Sequence, residues 1–97
     1  MPKKVDANQP QLVEDLRKLG LLVHVTSDLG RGFPDVVVGD PRTLEIRLCE
    51  VKNPEEAWKL TRSEKKFHEA WKGMVHVVET IEDVLALFGR ISSGIEI

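Results

Sequence analysis

Two apolar runs carry the reading of this chain: Gly32-Phe33-Pro34-Asp35-Val36-Val37-Val38-Gly39, and after a short turn Leu44-Glu45-Ile46-Arg47-Leu48-Cys49-Glu50-Val51-Lys52. Both are rich in β-branched and aliphatic residues, and Gly, Pro and Asp bound them, so they read as two strands of a β-hairpin. If Asp35 stands opposite Glu50, pairing runs through Gly39 and Ile46 and closes on a loop centred on Pro41 and Arg42. The open end of such a hairpin carries two acids.

Side chains two apart on a strand share a face. Glu50 and Lys52 therefore point the same way as Leu48, Ile46 and Leu44, and apolar burial is expected to turn that face inward. An unpaired buried charge costs several kcal/mol, so the acids and the lysine need a common partner. A hard divalent cation suits them, because Mg²⁺ takes oxygen ligands from one or two carboxylates plus water and substrate phosphate. Asp35, Glu50 and the Val51 carbonyl are the expected protein ligands of Mg²⁺ or Mn²⁺.

Pro34-Asp35 followed by Glu50-Val51-Lys52 resembles the PD-(D/E)xK nuclease superfamily. The wider set resembles its small virus-type replication-repair nuclease (VRR-NUC) branch. That set is Gly30-Arg31-Gly32-Phe33-Pro34-Asp35, Glu50-Val51-Lys52-Asn53, Leu60-Thr61 and Glu64 with Phe67-His68, then Trp71 and Gly73 before a strand. It spans roughly residues 6–88. Glu-x-Lys alone is a weak signal; the ordered set is far more specific. The resemblance implies an α/β fold with a restriction-endonuclease-like αβββαβ core, a mixed central sheet flanked by helices. It also implies phosphodiester hydrolysis with Asp35, Glu50 and Lys52 as catalytic residues, Lys52 acting on the attacking water or on the transition-state charge.

Length and composition agree with one soluble domain. The 97 residues are 41% hydrophobic and 31% charged, and no apolar run approaches the roughly 20 residues of a membrane span. Met1-Pro2-Lys3-Lys4-Val5-Asp6 lacks the apolar stretch of a signal peptide, so a cytoplasmic location is expected, with a phage or bacterial context suggested by the resemblance. Cys49, the single cysteine, is expected to be a small core hydrophobe. The net charge of −2 is not that of a typical DNA binder. Its distribution is uneven, however: between Lys59 and Lys72 five basic residues face two acids.

A first helix is expected from about Gln9 to Leu19, with Asn8 as N-cap and a buried stripe of Leu12, Val13, Leu16 and Leu19. Gln9 falls near the centre of that stripe and Glu14 on the opposite side. Relatives place a Glu or Gln from this helix near the metal, so Gln9 either reaches the acidic mouth as a catalytic residue or caps backbone at the helix end. Leu21–Ser27 is expected as the first strand, with His24 an ordinary strand histidine. Asp28–Gly32 is expected as a flexible crossing whose Arg31 either contacts phosphate or is a surface arginine.

Thr61 and Glu64 form a capping box that opens a second helix with Phe67, Ala70 and Trp71 as its inner stripe. Arg62, Lys65 and Lys66 are left for solvent or nucleic acid, and Trp58, in the connection before the helix, is expected in the core, with stacking on a base as the alternative. Val75–Glu79 is a fourth strand, parallel to the second hairpin strand because a helix intervenes. Thr80–Asp83 caps a last helix, and the tail from Ile91 could pair as an edge strand.

So small a chain carries no separate reading domain, which favours recognition of DNA shape over sequence. The expected partner is branched DNA, and the expected activity is cleavage by a homodimer resembling a Holliday-junction resolvase. A flap or fork nuclease, a non-catalytic nucleic-acid-binding module, and an interaction domain with Lys52 in a structural ion pair are the alternatives.

Overall fold

A computed structural model describes residues 6–90. The elements run α1 (Gln9–Lys18), β1 (Leu22–Val25), a 3₁₀ turn (Ser27–Leu29), β2 (Val36–Asp40), β3 (Glu45–Val51), α2 (Arg62–Ala70), β4 (Val75–Val78) and α3 (Ile81–Leu87). The protein is thus mixed α/β, with one sheet in the order β1-β2-β3-β4 and flanking helices. β1, β2 and β3 pair antiparallel, and β4 joins β3 in parallel.

The hairpin register is the expected one. Gly39 stands opposite Ile46 and Val36 opposite Cys49, which places Asp35 across from Glu50. The turn is built by Asp40: its backbone carbonyl accepts from Thr43 and Leu44 N–H, and its Oδ1 accepts from Arg42 N–H at 2.9 Å. Arg90 ties the end of α3 to this corner, with Nη2 3.0 Å from Asp40 Oδ1 and Nη1 donating to the Leu19 carbonyl.

The core lies on one face of the sheet. Val36 and Val38, with Cys49, Val51 and Val78, pack against Leu12, Val13 and Leu16 of α1 and Val84, Leu85 and Phe88 of α3. Cys49 is fully buried there, and burial pushes its thiol pKa up to about 12. On the opposite face sits α2. It is held by direct backbone contact with the loop before β2: a Cβ on Gly32 would lie 2.1 Å from the Ser63 carbonyl oxygen. An aromatic row reinforces it, Phe33 edge-on to Phe67 at 5.3 Å and Phe67 stacked on Trp71 at 5.0 Å.

Several expectations need correction. The Glu50 face is not turned inward along its length: Leu48 is half-buried, while Ile46 and Leu44 are 66% and 86% exposed. Burial on that face is confined to its Glu50–Lys52 end, where Glu64 of α2 meets Lys52. Leu19 is half exposed because the helix ends at Lys18. β1 stops at Val25, since Thr26 turns to bond the Asp35 backbone and the Pro34 carbonyl. Asn8 holds the N-cap position of α1 as expected, but its side chain makes no capping bond; its amide instead bridges the Lys52 and Glu79 carbonyls. Ala70 and Trp71 are exposed, and the buried residue of α2 is Glu64. Trp58 is exposed, its indole N–H donating to Glu79 at 2.7 Å. The tail from Ile91 lies outside the described residues.

Candidate active site

The mouth forms where β2 begins and β3 ends. Pro34 leads Asp35 into β2, and the hairpin register sets its carboxylate against β3, where Oδ2 accepts from Val51 N–H at 2.8 Å. Glu50 projects from the same face one residue earlier, and Lys52 one residue beyond Val51. Lys52 keeps the strand geometry because its N–H bonds the Val78 carbonyl at 2.9 Å. Asp35, Glu50 and Lys52 are 2%, 0% and 8% exposed. Three charged groups are therefore withdrawn from water together, an arrangement that costs stability unless each is engaged.

Lys52 is engaged on two sides. Its Nζ lies 3.1 Å from Glu64 Oε1 and 3.8 Å from Glu50 Oε2. Glu64, 2% exposed, reads in the sequence as a helix cap and as a member of the ordered set that carries the resemblance, not as a partner of Lys52. Asp6, just ahead of α1, belongs to no motif in the sequence. Its carboxyl is pushed above the ordinary range, first by burial and then by the charges of Asp35, Glu56 and Glu64, with Lys52 opposing. Asp6 therefore shares the electrostatic field of the mouth. The signal for it in the sequence is only its place beside the helix start.

Gln9 is buried, and its side chain bonds Ser27. Its Nε2 donates to Ser27 Oγ at 2.7 Å, and Ser27 Oγ contacts the Asp35 carbonyl at 3.4 Å. Its Oε1 is buried with no hydrogen-bond partner among the described residues. Gln9 thus braces Asp35 through Ser27 instead of capping backbone. Glu14 is exposed, as expected.

The basic residues divide. Arg62, Lys65 and Lys66 are exposed; at about 100° per residue Arg62 and Lys66 fall on the side of α2 opposite Glu64, and Lys65 on its flank. They therefore form an outward stripe and do not line the mouth. Arg31 is exposed in a left-handed conformation, φ 57°, between two glycines of positive φ. Gly32 abuts Ser63, so Arg31 and Arg62 flank the same contact.

Among the described residues no group of three or more His, Cys, Asp or Glu side chains is gathered closely enough to hold a metal ion. The hard-oxygen donors the mouth does offer are the paired carboxylates of Asp35 and Glu50 with the adjoining Val51 backbone, a set of the kind Mg²⁺ or Mn²⁺ uses when water and phosphate complete its shell. Comparison with protein-family models, with curated proteins and with solved structures finds no match.

Proposed function

We propose that this chain is a divalent-metal-dependent DNA endonuclease built on a restriction-endonuclease-like core of the VRR-NUC kind. The observation that carries the reading is the buried set at one strand end: Asp35 fastened to Val51 N–H, Glu50 beside it on the same face, and the Lys52 ammonium 3.8 Å from Glu50. Burying two acids and a lysine together is costly for structure alone and useful where phosphodiester chemistry needs a charged, water-poor site.

In this account Asp35, Glu50 and the Val51 carbonyl hold Mg²⁺ or Mn²⁺. When bound, the ion supplies Lewis-acid activation of water and charge stabilisation. Lys52 orients the attacking water or neutralises the charge that builds on the phosphorus oxygens. Gln9 contributes no charge and keeps Asp35 in place through Ser27. Arg31 and Arg62 contact phosphates beside the mouth, and Lys65 and Lys66 extend that track along α2.

The substrate we propose is branched DNA, cut by a homodimer whose two mouths address two strands. The apolar strip of Leu22, Leu44, Ile46 and Met74, each more than half exposed, supports an interface between copies. A flap or fork is the next substrate to consider.

One observation favours a second reading. Lys52 already has two carboxylate partners, Glu64 and Glu50, as a structural ion pair would, so an interaction or nucleic-acid-binding module would look the same here. Thermal melts with and without Mg²⁺ or Mn²⁺ separate the two. Stabilisation by the ion that is lost in Asp35→Asn supports the nuclease; melting temperatures unaffected by either ion support the module.

A further inference from the structure

The two helix starts in this protein carry the same motif in different surroundings. In α3, Thr80 and Asp83 form a capping box whose hydrogen bonds are exposed. In α2, Thr61 and Glu64 form the same box, yet Glu64 is 2% exposed. Its Oε1 accepts from Thr61 N–H at 2.9 Å and from Lys52 Nζ at 3.1 Å. Capping does not require burial, as Asp83 demonstrates. Burying a carboxylate is costly, so the box in α2 serves more than the helix end.

Lys52 needs such a partner. A lysine carries its charge on a flexible four-carbon stem, whereas productive catalytic geometry tolerates errors of about 0.5 Å. Glu50 Oε2, at 3.8 Å, is beyond hydrogen-bonding distance, and in the nuclease account that carboxylate is committed to the cation. Glu64 is itself fixed. It lies in the first turn of a helix clamped by the Gly32–Ser63 contact and by Phe33 on Phe67.

We propose that Glu64 is a positioning residue that holds the Lys52 ammonium in place beside Glu50, linking the start of α2 to the mouth. This rests on the nuclease reading of Asp35, Glu50 and Lys52. It assigns Glu64 a part in turnover that is separate from its part in capping. It also explains why α2, which buries little apolar surface of its own, is packed on the charged end of the sheet.

The test uses the full chain with Glu64→Gln, Lys52→Ala, the double variant and Thr61→Ala. Glutamine keeps an oxygen for Thr61 N–H and removes the charge that holds Lys52. In wild-type background Glu64→Gln is expected to lower kcat about 10²-fold with KM for a DNA substrate unchanged. In the Lys52→Ala background the same substitution is expected to change nothing further. Thr61→Ala is expected to lower Tm and leave kcat unchanged. Side-chain ¹⁵N relaxation of the Lys52 ammonium, measured without metal or DNA, is expected to show an ordered group in wild type and a mobile one in Glu64→Gln.

Equal losses from Glu64→Gln in both backgrounds, or an equally ordered Lys52 ammonium with and without the Glu64 charge, would overturn the proposal. If wild type and Asp35→Asn are alike inactive, the nuclease reading fails. The relaxation data then decide alone whether Glu64 holds Lys52.

Discussion

The carboxylate of Asp35 accepts a hydrogen bond from the backbone N–H of Val51 at 2.8 Å, so a proposed metal ligand is also a structural pin between β2 and β3. Removing the side chain removes both functions. Asp35→Ala leaves a buried N–H without its partner, which costs about 1–3 kcal/mol, and is expected to lower the urea midpoint as well as abolish cleavage. Asp35→Asn retains an acceptor oxygen and loses the charge. It is expected to keep most of the stability and none of the metal-dependent cleavage. Urea unfolding of both variants beside cleavage assays checks this; equal stability losses in the two would contradict the pinning role.

Asp6 gives a pH dependence with a definite sign. Burial and neighbouring acids hold its carboxyl above the ordinary 3.8 in the folded protein. An acid whose folded pKa is raised is least costly when protonated, so its destabilising contribution appears as pH rises above 3.8 and is complete above the folded value. In EDTA, Asp6→Asn is expected to raise Tm at pH 7 and to leave it unchanged at pH 3. A Tm lowered by the substitution at pH 7 would place Asp6 outside the acidic field.

Asp40 works in the opposite sense. Burial alone would raise its carboxyl, but hydrogen bonds from Arg42 N–H and Arg90, with the charges of both arginines, outweigh it and hold the pKa below the ordinary 3.8. The stability this contributes is full above the unfolded value and is lost as pH falls through the lower folded value. Arg90→Ala is expected to lower stability at pH 7 and to flatten the acid limb of a Tm–pH curve. An acid limb as steep as wild type would show that Arg90 is not what lowers Asp40.

Gly32 is required by space and by backbone together. Its φ is +79°, and an added Cβ would meet the Ser63 carbonyl oxygen at 2.1 Å. Relief means displacing the first turn of α2 and Glu64 with it. Gly32→Ala is expected to cost about 2 kcal/mol or more in denaturant unfolding. Gly20→Ala is the comparison: its φ is +89°, but open space surrounds the added methyl, so it is expected to cost less. Equal costs would remove the clash as the cause.

Alternation made the hairpin legible, because a period of two fixes which residues share a face, and Asp40 with Pro41 fixes the turn. The two Thr boxes were legible for the same local reason. Alternation does not say which face a helix will cover, however. Leu44 and Ile46 read as buried and are 86% and 66% exposed, with no described element packed over them. Glu64 showed its helix-capping role in sequence, but its second bond, to Lys52, spans twelve residues and exists only once α2 lies on the sheet. Asp6 lies outside any periodic segment, so no pattern marked it. Trp58 was misplaced because an indole reads as apolar while its N–H sought Glu79.

Asp35, Glu50 and Lys52 are proposed to form a metal-dependent nuclease site. The most direct measurement is cleavage of labelled linear duplex, single strand, 5′ flap and four-way junction, with Mg²⁺, Mn²⁺ or EDTA, beside Asp35→Asn. Cutting is expected to require the ion, to be absent from the variant, and to fall as paired symmetric nicks on the junction. No cutting of any substrate, or equal cutting by Asp35→Asn, would contradict it.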